Sequence, residues 1–240
     1  MSVRRATLAL GVSVAALLAA AAPASAIIGG TVSKDAPWAV HMLVDGAPQC
    51  TGTAVAREWV LTATHCFKNI PDSAITFRVG SLGPQGGEVV RPIPDSRRGN
   101  DHTDMTLIKV PPMTVALARL AESGDLAAGK TITAYGWGAT CTDGLEGGCQ
   151  SPVLKQADLT VRPNSDQECR DERMVSDSPT EFCAARINGI TAGGDSGGPA
   201  FLTRPDGSAV LVGVLSLSDR DHLASFGDVA YQRAWIQSVI

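Results

Sequence analysis

The sequence has little charge and very little lysine. Charged residues make up 18% of its 240 positions, and lysine supplies only five of them. With a net charge of −4, the chain lacks the dense basic surface of a protein that coats nucleic acid and the basic face of a membrane-surface helix. It contains no Cys-x-x-Cys and no His-Glu-x-x-His, and its four histidines are scattered, so no metal motif is expected. Repeats, low-complexity tracts, Asn-x-Ser/Thr acceptors and Pro- or Ser-rich linkers are likewise missing. Hydrophobic residues at 44% exclude intrinsic disorder and supply the core of one large domain or two small fused ones.

Only one long apolar run exists, and it is N-terminal. Arg4 and Arg5 precede Ala6 to Ala22, and Ala24-Ser25-Ala26 closes the segment with small residues. The 17-residue run falls short of the ~20 residues that span a bilayer, and Thr7, Gly11 and Ser13 dilute it. That order reads as a secretory signal over residues 1–26, leaving residues 27–240 as a secreted, extracellular chain without stable membrane association. An oxidising destination predicts that the six cysteines, all beyond residue 26, are paired. Their number alone leaves many connectivities open. Abundant alanine and arginine with little lysine suit a GC-rich bacterial genome.

Beyond residue 26, short apolar runs recur between turn residues. They cover Trp38 to Val44, Trp59 to Ala63, Ile75 to Val79, Met105 to Val110, Thr131 to Tyr135, Leu154 to Val161 and Ala209 to Leu217. Their length and their Val, Ile and Thr content predict strands, and the gaps carry Gly, Pro, Asp and Ser. No long helical pattern alternates with them, so an all-β sandwich or barrel is favoured over a parallel α/β sheet. One helix is predicted at the C-terminus, where Trp235, Ile236, Val239 and Ile240 share a face.

The most informative segment is Gly194-Asp195-Ser196-Gly197-Gly198-Pro199. Its glycines leave room around the Ser196 hydroxyl and let backbone N–H groups converge on one point, as an oxyanion site requires. A serine hydroxyl needs a base to act as a nucleophile. His65, in Thr62-Ala63-Thr64-His65-Cys66, sits at the end of a predicted strand. Asp104 sits directly before another, where it can hold an imidazole in one tautomer. Asp101 is the competing acid.

At these residues the sequence resembles the trypsin/chymotrypsin-like serine proteases. The likeness runs from Ile27-Ile28-Gly29-Gly30 to Trp235-Ile236, with the motifs in the family's order. It implies an all-β fold of two packed six-stranded antiparallel β-barrels with a C-terminal α-helix. The N-terminal barrel would cover about residues 27–125 and the C-terminal barrel about 126–240. It also implies a secreted serine endopeptidase working through an acyl-enzyme. Ser196 is then the nucleophile, His65 the general base and Asp104 its orienting acid. The Gly194 and Ser196 N–H groups form the oxyanion hole, and an Ile27 ammonium pairs with Asp195 to order it. Because Ala26 directly precedes Ile27, removal of the signal alone would create that N-terminus.

The same resemblance implies disulfides Cys50–Cys66 and Cys169–Cys183, which leaves Cys141 with Cys149. Two family bridges are missing. Ile132 and Leu202 occupy one pair of bridge positions, and Ala192 occupies half of the other, beside a shortened loop between Ser218 and Phe226. A primary pocket lined by Ile190, Thr191, Ser216, Leu217, Ser218 and Ala224 is expected, and it predicts cleavage after apolar residues. Asp219 and Asp221 are the acids able to alter it. No acidic cluster lies between Ser81 and Val90, so no calcium site is expected. No cofactor is implied. The expected partners of a monomer are polypeptide substrates and protein protease inhibitors.

Two other readings compete with this one. Gly-x-Ser-x-Gly around Ser196, with Asp219 or Asp221 and His222, also fits the nucleophile elbow of an α/β-hydrolase esterase. An elbow serine must open a helix, and Gly197-Gly198-Pro199 cannot. A catalytically silent, protease-like binding protein is the other alternative, although such relatives usually lose a triad member.

Overall fold

The computed structural model describes residues 27–142, 145–176 and 179–240; the expected signal segment lies outside the described residues. The first half carries β1 (Thr31–Val32), β2 (Ala39–Val44), β3 (Ala47–Ala56), β4 (Trp59–Thr62), β5 (Ile75–Val79), β6 (Glu88–Val90), β7 (Arg98–Gly99) and β8 (Thr106–Lys109). The second carries β9 (Thr131–Gly136), β10 (Lys155–Val161), α1 (Gln167–Asp171), β11 (Glu181–Arg186), β12 (Pro199–Thr203), β13 (Ala209–Ser218), β14 (Leu223–Asp228) and α2 (Val229–Val239). Period-2 alternation drives the clearest strands. In β5, Ile75, Phe77 and Val79 are buried while Thr76 and Arg78 turn partly outward. β10 alternates in the same way along its length.

Strands β9 to β14 close a six-stranded antiparallel barrel, running β9-β10-β11-β14-β13-β12 and back to β9. Strands β2 to β8 form a seven-stranded antiparallel sheet in the order β6-β5-β2-β3-β4-β8-β7. The architecture is the chymotrypsin-like double-β fold, with two corrections to the expectation. The first sheet has seven strands, and among the described residues its end strands β6 and β7 do not pair. In addition, β1 adds to β10 of the second half, and Ile28 bridges Ile190, so the chain starts on the barrel it later builds.

Each sheet encloses its own core. Val40, Met42, Ile75, Phe77 and Ile108 fill the first, and Ile132, Leu159, Phe182, Leu202 and Phe226 fill the second. Ile132 and Leu202 share that second core, so apolar packing stands where the family places a bridge. A third cluster lies between the halves. Leu61, Met105 and Leu107 come from one side, Phe201, Leu211 and Val214 from the other, and Val229 and Ile236 from α2. Asp228 caps α2 by accepting the Tyr231 N–H at 2.9 Å. The buried face of α2 is Val229, Gln232 and Ile236, with Trp235 and Val239 packed at its edge. Ile240 lies past the last turn and is 42% exposed, so it does not join the expected stripe. Disulfides join Cys50 to Cys66, Cys141 to Cys149 and Cys169 to Cys183.

Phe226 is fully buried, and its ring stacks on Phe182 at 5.3 Å between centroids. Phe226→Ala should cost about 3–5 kcal/mol of stability through the cavity it leaves. Urea denaturation measures this, and a loss near zero would mean that the barrel core is not packed around this ring.

Candidate active site

Strand register brings the first two groups together. β4 and β8 pair antiparallel from Trp59↔Lys109 to Thr62↔Thr106. Just past the last pair, the Thr64 and Thr106 hydroxyls bond at 2.8 Å and the Thr64 N–H reaches the Asp104 carbonyl at 3.4 Å. The chain then enters a 3-10 turn, Thr64–Phe67, anchored by the Cys50–Cys66 disulfide. His65 in that turn faces Asp104. Its backbone N–H donates to Asp104 Oδ1 at 2.9 Å, and its Nδ1 lies 2.6 Å from Oδ2. Ser216, from β13, donates its hydroxyl to the same Oδ2 at 2.8 Å. Burial works against the charge on Asp104, but the bonds from His65 and Ser216 outweigh it and hold the carboxyl below the ordinary range. Asp101 lies exposed in the preceding turn.

The glycine–serine turn is fastened to the same strand. The Gly197 N–H bonds the Leu215 carbonyl at 2.8 Å, and the Leu215 N–H bonds the Gly198 carbonyl at 2.9 Å, one residue before Ser216. Gly194 and Gly197 have φ of +98° and +75°, which L side chains rarely adopt. A Cβ at Gly197 would also meet the Thr51 carbonyl and the Ala63 nitrogen. The Gly193 carbonyl accepts from Ala139 N–H at 2.8 Å and Gln150 Nε2 at 2.9 Å, and the Asp195 carbonyl accepts from Gly198 N–H at 2.8 Å. Trans peptides therefore turn the N–H groups of Gly194 and Ser196 away from those partners. Thr51 completes the support, with its N–H on the Ser196 carbonyl at 2.8 Å and its hydroxyl on the Gly194 carbonyl at 2.9 Å.

Asp195 is fully buried. It accepts the N–H groups of Gly138 at 2.7 Å and Ala192 at 2.8 Å. Burial pushes its pKa up to about 7 against those bonds, and the charge of Glu146 adds to the rise. Among the described residues no cation pairs with it. Ile27 is also fully buried. His41 stacks on Trp137 at 4.6 Å, and burial lowers its pKa to about 4, so it stays neutral.

His65 and Ser196 line one cleft of about 410 Å³. Its walls are Ala192, Gly193, Leu215, Ser216, Leu217, Ser218 and Arg220. The pocket expected from sequence thus splits: Ser216, Leu217 and Ser218 line the cleft, and the other three residues do not. Ile190 and Ala224 point into the barrel core, and Thr191 is buried with its carbonyl accepting the Ser218 hydroxyl at 2.6 Å. Asp219 and Asp221 also stay out. One oxygen of Asp219 caps the N–H groups of Asp221, His222 and Leu223, and the Asp221 side chain is 85% exposed. Sequence reasoning missed Thr51, Glu146, Gln150 and Arg220. The only signal for Arg220 was its place between two acids in the shortened loop.

Comparison with known proteins agrees with this geometry. The Trypsin family model matches residues 27–236. The chain is 33% identical over 201 residues to "Serine protease SP24D" of Anopheles gambiae, covering 78% of this chain and 70% of that protein. It is 29% identical over 232 residues to "Trypsin iota" of Drosophila melanogaster, covering 88% and 86%. Against "Serine protease 56" of Homo sapiens it is 32% identical over 213 residues, 80% of this chain but only 34% of that longer protein. The chain belongs to the trypsin family of serine endopeptidases. These three relatives come from animals, whereas the composition suggested a bacterial source.

The buried acid makes a pH prediction. Asp195 has a folded-state pKa of about 7, above an unfolded value of about 4, so the unfolded chain releases this proton first. While Ile27 is in peptide linkage, stability should fall as pH rises from about 4 to about 7 and level off above. Denaturant unfolding across that range tests this, and Asp195→Asn should remove the dependence.

Proposed function

We propose that the chain hydrolyses peptide bonds through Ser196, His65 and Asp104. The supporting observation is the bonded set His65–Asp104–Ser216, with His65 and Ser196 on one cleft. Asp104 binds Nδ1 and so leaves Nε2 free to take the Ser196 proton as the hydroxyl oxygen attacks the substrate carbonyl. The N–H groups of Gly194 and Ser196 stabilise the oxyanion, His65 returns the proton to the leaving amine, and water then releases the acyl-enzyme by the same route. Among the described residues no carboxylate lines the cleft, which disfavours arginine and lysine side chains, and Ala192, Leu215 and Leu217 offer an apolar wall.

The active form starts at Ile27, whose ammonium neutralises Asp195. The support is a buried acid with no paired cation among the described residues, and a buried Ile27. The paired cysteines suit secretion, and no helix among the described residues is long and apolar enough to cross a membrane.

A fluorophosphonate should label Ser196. His65→Ala should lower turnover by about 10⁴ or more. Activity should fall on the acid side as His65 protonates, and on the alkaline side as the Ile27 ammonium loses its proton. Mass spectrometry of the active protein should find Ile27 first. A folded protein that never labels would falsify the enzyme reading in favour of a binding module, and a longer N-terminus on active enzyme would refute the activation step.

A further inference from the structure

Arg220 is the one arginine or lysine among the described residues lining the cleft, and its conformation is fixed from behind. Its φ is +64°, in the left-handed region that an arginine seldom adopts. The turn is held by a relay: the Arg220 N–H donates to Ser218 Oγ at 3.0 Å, and that hydroxyl donates to the Thr191 carbonyl at 2.6 Å. One edge of the guanidinium, Nε and Nη2, faces the carboxylate of Glu146, with Nη2 at 3.2 Å from Oε2. Among the described residues, Nη1 reaches only the Ser218 carbonyl, at 3.5 Å. The side chain is 48% exposed and its partner Glu146 21%, so the cation, not the acid, faces the cleft.

Glu146 is itself held. It belongs to the loop closed by Cys141–Cys149, and its Oε1 lies 3.4 Å from the Gly193 N–H. The bond from Arg220 keeps its carboxyl below the ordinary range, so it stays charged through neutrality. Arg220 is therefore half neutralised on its inner edge and still has N–H donors on its outer edge. Beside it, Leu215, Leu217 and Ala192 offer apolar contact for a methylene stem. Asp219 and Asp221 do not compete, because Asp219 accepts the N–H groups of Asp221, His222 and Leu223 and Asp221 points to solvent.

We propose that Arg220 is a specificity-determining residue, and that the cleft selects peptides bearing a carboxylate side chain on the residue whose carbonyl Ser196 attacks. The carboxylate binds the outer edge of the fork while the stem lies on the apolar wall. Glu146 tempers this preference by sharing the cation. The inference rests on reading the cleft as that of a Ser196-dependent endopeptidase.

The test compares kcat/KM for matched peptides with Glu, Gln, Leu or Arg at that residue. Glu should exceed its isostere Gln by about tenfold, the size of one charge-assisted hydrogen bond. Arg should be the poorest, and added salt should shrink the Glu advantage. Arg220→Met should abolish the Glu/Gln ratio, Arg220→Lys should retain part of it, and Glu146→Gln should widen it. A wild-type ratio near one, or a ratio unchanged in Arg220→Met, overturns the proposal. Fluorophosphonate labelling separates the two readings. A protein that labels at Ser196 and cleaves without favouring Glu overturns only the role of Arg220. A protein that does not label overturns the endopeptidase reading and this proposal with it.

Discussion

The Asp104 carboxylate is where the two halves of the molecule meet chemically. It takes the backbone N–H and the ring of His65 from the first sheet, and the Ser216 hydroxyl from the barrel. A partly buried carboxylate needs such donors, and neither half supplies all of them. The same strand that carries Ser216 fastens the Ser196 turn through Leu215. One anion therefore ties the base, the nucleophile's turn and the packing of the two halves into a single geometric problem. The apolar cluster between the halves, with Leu61, Met105 and Leu107 against Phe201, Leu211 and Val214, supplies the rigidity that keeps those bonds short.

The sequence was legible wherever signals are local. β5 and β10 were visible as short runs carrying Val, Ile and Thr between turn residues, and Ser196, His65 and Asp104 because each sits in a short, distinctive motif. Apolar runs such as β2, β8 and β13 were visible although both their faces are buried, whereas β3, β12 and β14 were not. β14 has no alternation, β12 opens on Pro199, and β3 buries Thr51 and Thr53 among small residues, so none carries a period of two. The pocket shows a different limit. Counting back from Ser196 locates Ile190 along the chain, but the direction of its side chain is set by the bridge to Ile28. The Glu146–Arg220 pair spans 74 residues and joins two turns, and no periodicity records such a contact.

The rim of the cleft is held by polar contacts. Ala192 stands where the family has a cysteine, beside the shortened turn that carries Arg220. An ion pair from that turn to Glu146 and the amide of Gln150 hold the Gly193 segment; Glu146 lies inside the small Cys141–Cys149 loop and Gln150 directly follows it. A covalent tie is indifferent to salt, whereas this one weakens as ions screen it. The shape of the cleft and the ionic strength around it are thereby linked.

Because β1 docks on β10, the molecule is not two halves laid end to end. The opening segment of the barrel is separated from its partner strand by the whole first sheet. During synthesis from the N-terminus, residues 31–32 emerge long before residues 155–156 exist to pair with them. The first sheet can form on its own schedule, but β1, which precedes it in the chain, must stay unpaired until β10 arrives. Closing β1 onto β10 is therefore a contact of high sequence separation, of the kind that slows folding.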